Sequence, residues 1–310
     1  MFAVASAAVT PSRTANFTRF AWGVLGWNLL VILWGAYVRA SGSGAGCGSH
    51  WPLCNGEVLP QNPRIQTVIE FTHRVMSGVA LVAVVAMGGW SVLVFPPKHR
   101  VRKAAIYSML FLAAEALLGA GLVVLQLVAQ DASGGRAFYL AMHLANTEFL
   151  LAALALTAWF SRDMAEPPIR LSAMVVWTLP LAILVSVTGV IAALGDTLFP
   201  ASSLGEGLRQ DLQSNSSFLI HLRTAHPILA TLAAAYFLTI TYSVLRSKPN
   251  LLTRQIALAV LVLSVTQLLV GAINLAMLAP IPLQIIHLLV ADLLWISLVL
   301  LTVEVPGKVK

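Results

Sequence analysis

One short stretch of the sequence, residues 69–78, carries three groups that could do chemistry together. Glu70, His73 and Arg74 place a carboxylate, an imidazole and a guanidinium within five residues of an otherwise apolar run. Glu70 and His73 are three residues apart, so they share one face of a helix. Charged groups at membrane depth are costly, so this Glu-x-x-His-Arg motif indicates a functional site.

Four of the seven histidines in the chain share a second pattern. His73, His143, His226 and His287 each lie near the start of an even-numbered apolar segment, which predicts a similar depth in the outer part of a bilayer. Two imidazoles from facing helices can bind a planar cofactor axially, and haem iron is the natural candidate. Zinc or copper would need a tighter cluster with further ligands. The predicted sites are His73 with His143, and His226 with His287.

Two further residues keep alternative interpretations. His221 lies five residues before His226 and points elsewhere on a helix, so it is either an alternative ligand or a partner for a haem propionate. Glu115, expected toward the cytoplasmic half of the third helix, is either structural or functional.

The two cysteines of the chain, Cys47 and Cys54, lie seven residues apart in a Gly/Ser-rich segment that is predicted on the extracytoplasmic side. Disulfides persist in oxidising compartments, so a Cys47–Cys54 disulfide is the leading interpretation. Free thiols and a redox-active pair stay open, whereas a zinc site has only His50 close by.

Membrane-spanning helices must position these residues. Hydrophobic residues make up 58% of the 310-residue chain and charged residues 10%, with a mean hydropathy of +0.85. This composition excludes an ordinary soluble domain. A run of about 20 apolar residues spans a bilayer, and the predicted windows are 19–40, 66–95, 103–128, 137–160, 171–194, 217–245, 252–278 and 282–303.

The positive charges divide unequally between the two sides of these windows. Of the 19 Lys and Arg residues, thirteen fall in the termini and the even-numbered connections and four in the odd-numbered connections, while two lie inside helices. The positive-inside rule therefore predicts that both termini are cytoplasmic. The net charge of +7 follows from this topology and does not indicate nucleic-acid binding. Residues 1–18 lack the pattern of a cleavable signal peptide, so the first helix is expected to act as an uncleaved signal.

The two halves of the sequence repeat the same features. Four helices in each half return the chain to its starting side, which indicates a parallel repeat. The predicted fold is an all-α integral membrane protein with eight transmembrane helices in two tandem, pseudo-symmetric four-helix bundles. We define the N-terminal half as residues 1–165 and the C-terminal half as residues 166–310. The matching features are 70–74 with 223–227, 117–120 with 269–272, 142–148 with 286–292, and Gly35 with Gly189.

A family resemblance is carried by residues 42–48, 51–56, 70–74 and 143–147 and by His287. On these motifs the chain resembles the haem A synthases, membrane enzymes that oxidise haem O to haem A for cytochrome oxidase. The resemblance spans essentially the whole chain. The sequence departs from the family pattern at the sixth helix, where Pro227 follows His226 in place of an arginine and His221 is extra.

The resemblance implies an oxidoreductase that converts the methyl group of haem O to the formyl group of haem A for terminal oxidase assembly. Haem O, the substrate, would lie in the N-terminal half between His73 and His143, beside Arg74. Haem b, a cofactor, would be held in the C-terminal half by His226 and His287.

One charge difference separates the two halves. The position of Glu70 in the first half is occupied by Arg223 in the second. Glu70 is the predicted catalytic residue, which would transfer a proton or stabilise cationic character at the oxidised carbon. Arg74, Arg223 and Arg39 are the predicted partners of haem propionates.

Two other functions share part of this pattern. A di-haem b-type membrane cytochrome for quinone-linked electron transfer needs the four histidines but neither the cysteine segment nor Glu70. A transporter with a parallel repeat would be expected to place polar residues at midplane helix breaks. The expected partners are haem O and the lipid bilayer, with haem O synthase or oxidase assembly factors as further candidates and no nucleic acid. The expected location is a prokaryotic plasma membrane, with the haem sites toward the extracytoplasmic side.

Overall fold

A computed structural model describes residues 11–165, 169, 171–213 and 217–305. Residues 166–168 at the predicted boundary, and Arg170, Lys308 and Lys310 among the counted cations, lie outside this range. Within it all regular structure is helical, apart from one antiparallel bridge between Cys54 and Glu57. The helices are α1 (Pro11–Ala40), α2 (Ile65–Val94), α3 (Arg100–Val124), α4 (Gly134–Phe160), α5 (Ala173–Val176), α6 (Thr178–Leu198), α7 (Leu204–Leu212), α8 (Phe218–Arg223), α9 (Ala225–Arg246), α10 (Leu251–Ala276) and α11 (Ile281–Glu304).

The described residues include eight helical segments that are long and apolar enough to cross a membrane. These are α1 to α4, α5 with α6, α8 with α9, α10 and α11, so the eight predicted spans are confirmed. Their outward faces expose large apolar side chains such as Val82 (70% exposed) and Leu93 (80% exposed). Faces of this kind are unfavourable in water and are covered by lipid chains. The chain is a multi-pass membrane protein.

Two spans that the sequence predicts as continuous helices are interrupted near a proline. Pro180 and Pro227 have no backbone N–H, so each leaves the carbonyl four residues earlier without its helical partner. Those carbonyls belong to Val176 and Arg223, and they are the last residues of α5 and α8. The interruption before α9, at Thr224, lies two residues before His226.

The polar connection between α6 and α8 contains a helix that the hydropathy windows do not show. This helix, α7, begins after Ser203, whose hydroxyl accepts a hydrogen bond from the Glu206 N–H at 3.2 Å. Glu206 accepts hydrogen bonds from the N–H and the hydroxyl of Ser202. A serine followed three residues later by a glutamate is a helix-start signature, so this signal is present in the sequence.

The helices of each half pack on their neighbours, and α4 and α11 join the two halves. In the first half α4 also packs on α1, and in the second half α11 also packs on α6. Trp295 on α11 donates its indole N–H to the backbone carbonyl of Glu148 on α4 at 2.7 Å. Trp159 on α4 donates to the carboxylate of Glu304 on α11 at 2.8 Å. The buried core along this junction includes Leu150, Leu151, Leu154, Leu298 and Leu301.

Candidate functional site

The two predicted ligand histidines of the first half, His73 and His143, each lie against a glycine of the preceding helix. A Cβ atom at Gly35 on α1 would lie 2.9 Å from Cε1 of His73 on α2. A Cβ atom at Gly119 on α3 would lie 3.6 Å from Nε2 of His143 on α4. Helix α1 packs on both α2 and α4, the helices that carry these two histidines. The two imidazoles of the predicted first site are therefore brought into the same region.

The second half repeats these contacts. A Cβ atom at Gly189 would lie 2.9 Å from Cε1 of His226, and one at Gly271 would lie 3.0 Å from Cε1 of His287. The two imidazole rings are 6.4 Å apart between centroids, with an angle of 87° between their planes. Two imidazole nitrogens bound to one metal atom at about 2 Å each separate the ring centroids by roughly 6 Å. The spacing therefore fits a single iron atom between His226 and His287.

The four Gly–His contacts are the features that best fit a haem at both sites. At Gly35, Gly189 and Gly271 the absence of a Cβ atom lets the imidazole approach the helix backbone, whereas His143 makes an ordinary contact at Gly119. All four rings are only partly buried. Nδ1 of His73 and Nδ1 of His287 are buried atoms without a hydrogen-bond partner among the described residues. Such orphaned atoms in a membrane interior call for a ligand or bound water. Among the residues that the structure describes, no group of three or more His, Cys, Asp or Glu side chains could hold a metal ion.

Glu115 is the site residue whose position the sequence missed. Its Oε1 lies 2.8 Å from Nδ1 of His143 and accepts a hydrogen bond from the Thr147 hydroxyl at 2.5 Å. Its Oε2 accepts from the Asn146 amide at 2.5 Å. Glu115 therefore lies beside His143, in the second half of α3, which ends at Val124, four residues before the predicted end. A carboxylate on the second ring nitrogen fixes the orientation of an imidazole ligand.

The repeat supplies the signal that could have identified Glu115. It lies four residues before Gly119, and Gln267 lies four residues before Gly271. In the structure Nε2 of Gln267 is 3.3 Å from Nε2 of His287. Each half thus places a polar side chain beside the histidine of its last helix. In the first half the carboxylate of Glu115 lies beside His143, and in the second half the amide of Gln267 lies beside His287.

Glu70 is held against the cysteine segment and does not point toward the imidazole of His73. Its Oε2 accepts a hydrogen bond from the Cys47 N–H at 2.8 Å, and its Oε1 pairs with Arg74 at 2.5 Å. Arg74 also donates to the backbone carbonyls of His50 and Leu53, each at 2.6 Å. Glu70 is only 3% exposed. The pair therefore fastens the start of α2 to the segment 41–64 between α1 and α2, which we call the outer segment after its predicted side of the membrane.

The Cys47–Cys54 disulfide that the sequence predicts is present, with 4.4 Å between the two Cα atoms. Both residues are buried. The Thr67 hydroxyl donates to the carbonyl of Gly46 at 2.7 Å, which adds a second attachment between this segment and α2. The outer segment therefore covers the end of α2 that carries Glu70.

Arg223 fastens the outer segment of the second half in a comparable way. Its guanidinium contacts Oδ1 of Asp211 at 2.5 Å and Oδ1 of Asp196 at 3.1 Å, and it reaches the carbonyl of Gly207 at 3.4 Å. Glu70 and Arg223, which lie three positions before His73 and His226, therefore each bind the connecting segment of their own half. The two residues do this with opposite charge.

The structure separates His221 from His226. His226 rests on Gly189, and its Nδ1 lies 3.2 Å from the Thr188 hydroxyl. His221 is exposed, and its backbone carbonyl accepts a hydrogen bond from Thr224. The geometry therefore favours His226 as the partner of His287.

Arg39 points away from the first site and into the second half. It donates to the carbonyl of Ala193 and the hydroxyl of Thr197 on α6, both at 2.9 Å. It also donates to Oε1 of Gln284 on α11 at 3.0 Å. Arg39 thus joins the end of α1 to two helices of the C-terminal half.

Comparisons with known proteins agree with this pattern of residues. A family model described as cytochrome oxidase assembly protein (COX15-CtaA) matches residues 18–299. A Thermus thermophilus protein named protoheme IX farnesyltransferase is 45% identical over 294 residues, which cover 94% of this chain and 48% of that protein. A heme A synthase of Alkalihalophilus pseudofirmus is 42% identical over 132 residues, 41% of this chain and 40% of that protein. A heme A synthase of Halalkalibacterium halodurans is 38% identical over 144 residues, 45% of each chain. The chain spans about half the length, or less, of these relatives.

Proposed function

Because the chain belongs to the cytochrome oxidase assembly protein family (COX15-CtaA), we propose that it is an oxidoreductase that converts the methyl group of haem O to the formyl group of haem A. The family match confirms the resemblance to haem A synthases that the motifs indicate. The observation that carries the proposal is the set of four Gly–His contacts, two in each half. Each half thereby offers one pair of imidazoles to a planar iron group.

The N-terminal half is the proposed substrate site. His73 and His143 hold haem O, and the carboxylate of Glu115 orients His143 through its Nδ1 atom. Arg74 and Glu70 lie at the outer end of the same helix pair, where haem propionates and the reacting edge of the substrate are proposed to lie. Glu70 is the proposed catalytic group. It would take up a proton from the carbon that is oxidised, or stabilise positive charge there.

The C-terminal half is the proposed cofactor site. His226 and His287 hold haem b, with Thr188 and Gln267 on the second nitrogen or the edge of each imidazole. When bound, haem b supplies one-electron redox chemistry. Arg223 would reach a haem propionate only by exchanging part of its contact with Asp196 or Asp211. We therefore propose that it positions the segment above the haem.

The proposed architecture follows from the repeated contacts. We infer two tandem, pseudo-symmetric four-helix bundles, residues 1–165 and 166–310, because the four Gly–His contacts recur in the same helix order. The unequal distribution of Lys and Arg supports cytoplasmic termini in a prokaryotic plasma membrane. This topology places both haem sites toward the extracytoplasmic side, where an oxidising environment also suits the Cys47–Cys54 disulfide.

A haem O synthase is the proposed partner. The Thermus thermophilus relative is named protoheme IX farnesyltransferase, and this chain matches 48% of it. That one protein carries this name and also contains a region similar to this chain. Its composition supports the proposal that haem O formation and haem O oxidation take place close together. Oxidase assembly factors remain further proposed partners.

The change Glu115→Gln is expected to weaken haem binding in the N-terminal half by on the order of ten- to hundredfold, as for other residues that orient a metal-binding histidine. Glutamine keeps the size of the side chain but removes the carboxylate that contacts His143, Thr147 and Asn146. The measurement is the haem content of purified protein over a titration with haem O. The exposed acid Glu57, changed to glutamine, is the control, and equal affinity in both variants would remove Glu115 from the site.

Extraction of haems from cells that express this chain together with a supply of haem O tests the function directly. The expected result is haem A, identified by its mass and by its absorption spectrum. Bound haem without any haem A would point instead to the di-haem b-type cytochrome. A protein without bound haem would contradict both functions. Cells that express the double variant His73→Ala, His143→Ala are the control and should accumulate haem O.

A further inference from the structure

A pair of buried acids lies at the junction of the two halves, outside both haem sites. Glu148 on α4 is 2% exposed and Asp292 on α11 is 1% exposed. Asp292 lies three residues before Trp295, on the same face of α11, and the Trp295 indole N–H donates to the backbone carbonyl of Glu148 at 2.7 Å. Both acids therefore lie at the same contact between α4 and α11. Glu148 and Asp292 occupy equivalent positions in the repeat, each five residues after a histidine of its half.

Neither acid has a cationic partner among the described residues, where the ion pairs involve other side chains. Oε2 of Glu148 and Oδ2 of Asp292 are buried without any hydrogen-bond partner in the described part of the chain. Both side chains therefore keep one unsatisfied oxygen at a buried position.

The other ionisable groups of the surrounding helices are engaged elsewhere or lie near the helix ends. Arg39 binds Ala193, Thr197 and Gln284, and Arg136 binds the carbonyls of Ala129 and Asp131. The remaining groups on the helices packed around the pair are Glu115, His143, Asp196, His287 and Glu304, with further basic residues near the helix ends.

An uncompensated carboxylate at membrane depth is strongly unfavourable. Two neighbouring acids cannot both ionise at low cost, so such pairs retain a proton between them. An ordinary structural role would be served better by apolar side chains of similar size. Both acids are buried, neither pairs with a cationic side chain among the described residues, and each has an oxygen without a hydrogen-bond partner. Together these observations indicate that the pair binds a proton.

We propose that Glu148 and Asp292 form a proton-binding pair that changes its proton occupancy when the charge at the flanking histidine sites changes. The redox event in this inference rests on the proposed function, whereas the proton bound by the two acids does not. Five residues of helix separate each acid from its histidine, a rise of about 7.5 Å. The pair is therefore about equally placed to respond to either site.

Proton uptake and release by the pair balance the electron that arrives and leaves. When an electron arrives at a haem site, one proton from solvent adds to a carboxylate oxygen of the pair and gives a neutral carboxyl group. When the electron leaves for the electron acceptor, that proton returns to solvent. No bond to the haem forms or breaks. At the roughly 10 Å separation expected, one added charge changes the proton affinity of the pair by about tenfold.

Infrared spectroscopy of the 310-residue chain in lipid nanodiscs tests the pair. At neutral pH the oxidised protein is expected to show the C=O stretching band of a protonated carboxyl group, shifted in deuterium oxide. The variants Glu148→Gln and Asp292→Asn are each expected to remove or shift this band. Asp163→Asn, at an exposed acid of the connection after α4, is the control and should leave the band unchanged. Reduction of the haem-loaded protein is expected to increase the same band.

Three results would overturn the proposal. A missing carboxyl band in the wild-type protein at neutral pH would show that both acids are ionised. Loss of the band on adding sodium chloride at constant pH would identify a cation site instead. A band that stays constant on reduction would remove the redox link. The band of the oxidised wild-type protein requires neither a variant nor haem A formation, so it separates failure of this proposal from failure of the proposed function.

Discussion

Gly35→Ala is expected to lower the occupancy of haem in the N-terminal half by on the order of ten- to hundredfold. The added Cβ atom would lie 2.9 Å from Cε1 of His73, closer than two carbon atoms can approach without displacing one of them. His73 is partly buried between α1 and α2, so its ring must turn away from the position that a haem ligand requires. The expected loss of haem affinity is of the size seen when a group that orients a metal-binding histidine is removed. The measurement is haem content and absorption spectrum of the purified protein.

The same helix supplies a matched control. Gly26 also lies on α1, and a Cβ atom there would meet nothing within 4 Å. Gly26→Ala shares the gain in helix propensity of Gly35→Ala but leaves His73 untouched. Gly189→Ala tests the repeat, because it should reduce haem in the C-terminal half while sparing the first site. Equal haem binding by Gly35→Ala and Gly26→Ala would contradict the assignment of His73 as a ligand.

Glu70→Gln is expected to reduce haem A formation by about a hundredfold or more, the range lost with a proton-transferring group, while haem O still binds. Glutamine has nearly the same shape, and its carbonyl can still accept the Cys47 N–H. It cannot hold a proton for transfer, and it removes the charge that pairs with Arg74. The measurement is the ratio of haem A to haem O in purified protein.

A second variant separates chemistry from attachment of the outer segment. Arg74→Gln breaks the same ion pair but leaves the Glu70 carboxylate in place. If Glu70 transfers a proton, Arg74→Gln should retain measurable haem A formation. If both variants lose haem A formation equally and both expose the segment 41–64 to protease, Glu70 only positions that segment. That outcome would end its assignment as the catalytic residue.

The sequence predicts those parts of the molecule that depend on local pattern. The spans follow from hydropathy, because a helix that faces lipid must be apolar along its whole length. The Cys47–Cys54 disulfide follows from two cysteines in one short outer segment. The approximate positions of His73, His143, His226 and His287 follow from the repeat. The sequence also allows the break before α9 to be predicted, because Pro227 has no N–H to donate to the Arg223 carbonyl.

Contacts between distant helices could not be predicted in the same way. Glu115 and His143 lie on different helices, and their contact depends on where α3 ends. Arg223 was expected near a propionate, yet it binds Asp196 and Asp211 from two other parts of the chain. The orientation of Glu70 depends on the path of the outer segment, which hydropathy and periodicity do not describe.

The contacts of Arg39 set an order on biogenesis. Arg39 belongs to α1, whereas its partner Gln284 on α11 lies 245 residues later in the chain. Until α11 has been synthesised, the guanidinium has only the Ala193 carbonyl and the Thr197 hydroxyl of α6 among these three partners. The full set of Arg39 contacts therefore forms only after α11 is inserted, and a nascent chain that stalls before α11 leaves this cation with fewer partners.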